Sequence, residues 1–148
     1  MNYEFIEQRI LEAVRGLLTG RVNEILGHWQ FMVPLFEFSE YQGRSAVVPT
    51  ITLYGCERTE KERVIRLDAY SLSIAFSLQE TPETELYCYA YANAFCKALG
   101  ENPTLSGIAD RAAVTGKKYT PPNKRCGGNE WEVAISVRVT VEAIGNAG

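Results

Sequence analysis

From residue 131 to residue 142 the chain alternates strictly, with Trp131, Val133, Ile135, Val137, Val139 and Val141 on one parity and Glu132, Ala134, Ser136, Arg138, Thr140 and Glu142 on the other. A period of two is the pattern of a β-strand with one buried face. A shorter run at 108–115 precedes it, so the C-terminal third reads as one long β-hairpin. Between the two runs lies 116–129, which carries Lys117, Lys118, Tyr119, Lys124 and Arg125 around Pro121-Pro122 and Gly127-Gly128. Tight hairpins use about two to five loop residues, and longer structureless connections in compact domains are functional or disordered. The basic tip therefore needs a reason.

Working back from the hairpin, Thr81-Pro82-Glu83-Thr84 supplies a helix start: a capping hydroxyl, a proline in the first turn and an acid beside the positive end of the dipole. The spacing predicts a helix from there to about Leu99, stopping at Gly100. Leu86, Tyr89, Ala90, Ala94, Phe95, Ala98 and Leu99 form its core-facing stripe, with Tyr87 and Tyr91 at the margin. Residues 64–79 read as a long strand, in which Ile65 and Leu67 point one way and Tyr70, Leu72, Ile74, Phe76 and Leu78 the other. A switch of face near Asp68 predicts a β-bulge or bend there. Ser71, Ser73, Ala75 and Ser77 form a small, polar opposite face, which suits either solvent or the close approach of another surface. Residues 50–57 read as a further strand, and 58–63 as a solvated turn or a splayed hairpin end.

At the N-terminus, Phe5, Ile6, Ile10, Val14, Leu17 and Leu18 recur at helical spacing, predicting an amphipathic helix over 3–19 with Gly20 as its stop. Residues 21–49 follow no single period. Their Trp29, Phe31, Phe36 and Phe38 would leave a large apolar patch if exposed, so this arm must pack on something. The element order is helix, two strands, helix, two strands, an α+β pattern. At 148 residues and 46% hydrophobic composition the chain fits a single domain, 1–148, that needs no disulfide or metal to bury a core.

A net charge of −3 argues against a dedicated, sequence-specific nucleic-acid binder, because phosphate affinity depends on uncompensated Lys and Arg. No apolar run approaches the roughly 20 residues that span a bilayer, and the first residues lack the pattern of a signal peptide, which predicts a cytoplasmic chain. Cys56, Cys88, Cys96 and Cys126 have no C-x-x-C spacing, so reduced thiols are expected. Cys88 and Cys96 on one helix would lie about 12 Å apart, beyond disulfide reach. His28 is the only histidine, and no partner for base, nucleophile or zinc chemistry is visible around it. Phosphate-loop, nucleophile-elbow and dinucleotide fingerprints do not occur. The chain reads as a non-enzyme without cofactor or metal. Its basic tip reads either as a docking element, with cations and a stacking tyrosine stiffened by two prolines, or as an ordinary solvated loop.

The succession of strand 67–78, helix 83–99, Leu105-Ser106-Gly107-Ile108-Ala109-Asp110-Arg111, the basic loop, and Trp131-Glu132-Val133-Ala134-Ile135 running into Val139-Thr140-Val141-Glu142 resembles the bacteriophage tail-terminator and tail-completion (minor tail) proteins. The resemblance covers roughly half to two-thirds of the chain. It implies a single twisted sheet, mixed but mainly antiparallel, of about four long strands with two helices packed on one face. It further implies a subunit made in the bacterial host cytoplasm and carried into the virion tail, assembling with itself as a ring, commonly a hexamer. Its other partners would be the tail tube protein and a head-completion or neck protein, met by Lys117, Lys118, Tyr119, Lys124 and Arg125. The competing readings are a monomeric module that binds a peptide or small ligand at the serine face or beside Tyr87 and Tyr91, and a small enzyme with His28 in a cleft beside carboxylates.

Overall fold

A computed structural model of the chain describes residues 5–31, 33–38, 46–62 and 65–144. Its centre is a four-stranded sheet of β3 (Thr50–Glu62), β4 (Ile65–Gln79), β5 (Arg111–Thr120) and β6 (Glu130–Ile144), in the spatial order β3-β4-β6-β5. Every neighbouring pair is antiparallel. Parallel pairing is confined to a separate two-residue couple, β1 (Leu35–Phe36) with β2 (Ala46–Val47). The fold is α+β, as the element order requires.

Leu72, Ile74, Val133, Ile135, Val137 and Val139 are buried on one face of the sheet beneath the helices. The opposite parity, with Ser71, Ser73, Ala75, Ala134 and Ser136, is only half-buried. The β4–β6 register runs unbroken from Ile65 opposite Ile144 to Gln79 opposite Glu130, so the bend expected at Asp68 does not occur. The bulge lies instead in β3, where Tyr54 is extra between Leu53 and Gly55. Ile65 and Leu67 simply occupy the outer face, and Asp68 keeps the inward parity at 6% exposure. It can do so because Arg58 grips both carboxylate oxygens, at 2.7 and 2.9 Å. The charged stretch after residue 57 is accordingly strand rather than turn.

The first helix does not stop at Gly20. α1 (Ile6–Leu17) passes through a π-helical turn, Leu18–Val22, into α2 (Asn23–His28). Leu18, Val22, Ile25 and Leu26 are all at most 1% exposed. Burying four such side chains outweighs the roughly 1 kcal/mol that glycine costs inside a helix. Asn23 then reaches forward: its side-chain oxygen accepts from the Phe36 N–H at 3.0 Å, and its amide donates to the Phe36 carbonyl at 3.1 Å. One side chain thus serves as a strand partner for β1. It pins Phe36, fully buried, into a cluster with Phe76 and Tyr91 at centroid separations of 5.1–5.4 Å.

α3 (Thr84–Glu101) starts at the stretch the sequence marks, but Glu83 stands at its cap without a side-chain cap bond and Pro82 lies ahead of its first turn; the start is held instead by the Thr84 hydroxyl, which donates to the Gln79 carbonyl at 2.7 Å and accepts from the Thr81 N–H. Its phase differs from the expected stripe. Cys88, Tyr91, Ala92, Phe95 and Ala98 are fully buried, whereas Leu86 and Tyr89 are 55% and 38% exposed. The helix is apolar on several sides, so periodicity alone leaves its rotation open; the large Tyr91 ring finds the aromatic cluster and fixes it. The Tyr91 hydroxyl donates to the Pro34 carbonyl, and burial pushes its phenol above the ordinary tyrosine value.

Ile74→Ala should destabilise the protein by about 3 kcal/mol, read from urea denaturation, because a fully buried β4 side chain would leave a cavity under the helices. The hydrogen-bonded Arg58 guanidinium holds the Asp68 carboxyl below its ordinary value. The pair therefore contributes stability above the unfolded carboxylate pKa of about 3.9 and loses it as pH falls through the lower folded value. Asp68→Asn should lower the melting temperature at pH 7 and converge with the unsubstituted protein in acid. Arg58 is half exposed, so the difference should be small.

Candidate docking surface

The hairpin of β5 and β6 carries all five basic-tip residues, but β5 extends to Thr120, further than the run 108–115 expected for it. The connection is only 121–129. Lys117, Lys118 and Tyr119 are therefore strand residues with fixed directions. Lys117 lies opposite Ile135 and Tyr119 opposite Val133, both on the helix-covered face, whereas Lys118 lies opposite Ala134 on the outer face. A bulge at Thr115, between Val114 and Gly116, sets this parity.

Each residue on the helix side has a local partner. Lys117 Nζ donates to Asn93 Oδ1 on α3 at 3.3 Å. Tyr119 meets Tyr89 edge to face, with centroids 4.9 Å apart, and burial pushes its phenol upward. Tyr89 in turn donates to Glu85 at 2.8 Å. Edge-to-face rings contribute about 0.5–1.5 kcal/mol beyond area burial, so Tyr119 serves as an anchor of the hairpin on α3.

The tip itself is a built turn. Lys124–Cys126 form one 3-10 turn, followed by Gly127 at φ 74°, a left-handed conformation that favours glycine. The Gly128 N–H donates to the Asn123 carbonyl at 2.9 Å, and a Cβ on Gly128 would stand 2.9 Å from that same oxygen. The pair of glycines thus permits close chain approach. Two contacts tie the tip down: Lys124 Nζ lies 3.2 Å from Glu80 Oε1, and the Glu80 N–H donates to the Asn129 carbonyl at 2.8 Å. Arg125 and Lys118 have no ion pair among the described residues.

Lys118 borders a depression of about 520 Å³ on the outer face, lined also by Val48, Thr50, Ser77, Thr120 and Glu132. A second depression, of about 350 Å³, lies between Pro34, Val47, Gln79, Thr81 and Tyr87. The hydroxyls of Tyr91 and Thr84 on its wall are already spent on Pro34 and Gln79. His28 is exposed at the last turn of α2. Among the described residues no group of three or more His, Cys, Asp or Glu side chains is placed to hold a metal ion. All four cysteines are free; burial pushes the Cys88 thiol up to about 11. No described helix is long and apolar enough to cross a membrane. No protein-family model matches the chain, and no curated protein sequence is significantly similar to it.

The sequence brought five basic-tip residues under one heading, and the fold sorts them onto two faces and a turn. It also supplied two tethers that no spacing announced, Lys124 to Glu80 and Tyr119 to Tyr89. Lys124→Ala should raise amide hydrogen exchange across 123–129 at least severalfold while lowering the melting temperature by about 1 °C or less, since exposed ion pairs contribute little to global stability.

Proposed function

We propose that this protein is a structural subunit of a phage or prophage virion, of the kind that closes the head-proximal end of a tail tube as a ring, commonly of six copies, and joins it to a head-completion or neck protein. The observation that carries the reading is the two-sidedness of the sheet: one face is sealed by helices, while the other is a long field of small side chains, Ser71, Ser73, Ala75, Ala134 and Ser136, bordered by Lys118. A ring requires two different complementary surfaces per subunit, and a fold with distinct faces and a projecting hairpin offers them. On this reading the subunit works by contact, with no catalysis and no cofactor. Lys118 and Arg125, which have no ion pair among the described residues, are the cations of the hairpin end that meet acidic patches on the tube or neck. Lys117, Tyr119 and Lys124 hold the end in position. Assembly takes place in the host cytoplasm and the product leaves in the virion tail.

Negative-stain imaging and mass measurement at high protein concentration should reveal rings. Lys118→Glu with Arg125→Glu should leave the circular dichroism spectrum unchanged and reduce the yield of joined, infectious tails at least tenfold; normal tails from that variant would remove the hairpin end from the docking role. The depression beside Tyr87 favours one competing reading, a monomeric ligand-binding module. A persistent monomer that gains thermal stability with a peptide or small ligand would establish it.

A further inference from the structure

At the hairpin end of the outer face, a groove gathers polar side chains that no other described residue engages. Two depressions form it, of about 520 and 360 Å³. Both are lined by Thr120 and Glu132, which stand opposite each other on β5 and β6, so the depressions meet at that rung. The larger runs from there past Lys118 to Ser77 and Thr50, over a floor of Ala75 and Ala134. The smaller runs outward past Glu130 to Asn129 and Asn123. Thr120, Glu130 and Glu132 share their parity with Lys118, Ser77 and Thr50, which makes the groove a continuous feature of one face.

The charges along it follow an order. Glu130 and Glu132 lie two residues apart on β6, and Lys118 stands opposite Ala134, two residues further on. At about 3.4 Å per residue, the sequence minus, minus, plus repeats every ~7 Å along the strand direction. None of these three side chains has a hydrogen bond or ion pair among the described residues, and neither have the hydroxyls of Thr50, Ser77 and Thr120. Lys117 and Lys124 on the same hairpin, by contrast, are engaged by Asn93 and Glu80.

Two carboxylates against one ammonium repel a phosphate backbone and favour a polypeptide with the opposite order of charge. An extended chain presents every second residue to one side, at the same ~7 Å repeat. Hydroxyls both donate and accept, so Thr50, Ser77 and Thr120 can serve the N–H and C=O groups of a chain laid on the face, and the alanine floor lets that chain come close. We propose that the groove binds an extended segment of another polypeptide in which two basic residues and one acidic residue alternate with small ones, the bases on Glu130 and Glu132 and the acid on Lys118. That the segment belongs to the tube or neck protein rests on the virion reading above; the chemistry of the groove does not.

The probes are the synthetic peptide Ser-Lys-Thr-Lys-Thr-Glu-Ser, capped at both ends, and the same residues in reverse, since either chain direction satisfies the charge order. Titrated into the full chain, one of the two should shift the amide NMR signals of Ser77, Lys118, Thr120, Glu130 and Glu132, with a Kd of about 1 mM. The charge-inverted peptide, with Glu for each Lys and Lys for the Glu, should leave them unmoved. Glu130→Lys with Glu132→Lys should lose the first peptide and bind Ser-Glu-Thr-Glu-Thr-Glu-Ser instead, a switch that only a folded variant can make. Absent or scattered shifts, equal binding of the inverted peptide, or no switch in the double variant would overturn the proposal. Peptide binding by a protein that forms no rings would uphold the groove and remove the virion reading, whereas rings without peptide binding would do the reverse.

Discussion

Everything else in the fold hangs on the ladder between β4 and β6. Both strands are 15 residues long and pair over their whole length without a register shift. A one-residue slip of either strand would turn its inward set outward, Leu72, Ile74 and Phe76 on β4 or Val133, Ile135 and Val137 on β6, so the register is enforced by the buried side chains of both. The bulges that re-aim side chains sit only in the outer strands, β3 and β5. The inner pair keeps a single register along its whole length, and every departure from regular pairing falls on the edges.

Over this ladder the helices are held by a small number of large contacts. The aromatic cluster of Phe36, Phe76 and Tyr91 joins the irregular arm, the sheet and α3 at one point. Asn23 brings the arm to that point by bonding both backbone groups of Phe36. Arg21 adds a surface tie, with its Nε 2.7 Å from Glu101 Oε1 at the end of α3. The arm therefore behaves as core cover, fastened at its polar atoms and filled at its apolar ones.

How far the sequence could be read depended on whether a signal was local. The alternation of residues 131–142 and the Thr81–Thr84 start of α3 are set by short-range chemistry, and both appear where the residues put them. The element order and the α+β class followed from them. Gly20 misled, because a local breaker was overruled by the burial of Leu18, Val22, Ile25 and Leu26, which only the folded packing shows. Asp68 misled in the opposite sense: an inward carboxylate looked like a change of face, when Arg58, ten residues earlier, had neutralised it in place. Of the basic tip, composition was legible and direction was not. Gly116, Lys117 and Lys118 are poor strand formers, and it is pairing with β6 that makes them strand and sends the two lysines to opposite faces.

Glu80 occupies the short connection between β4 and α3, and it holds the hairpin tip twice, through its carboxylate to Lys124 and through its backbone N–H to Asn129. The tip and the first turn of α3 are thereby mechanically coupled. A load applied at residues 123–129 is borne at the root of the helix, four residues before Thr84, rather than dissipated along a free loop.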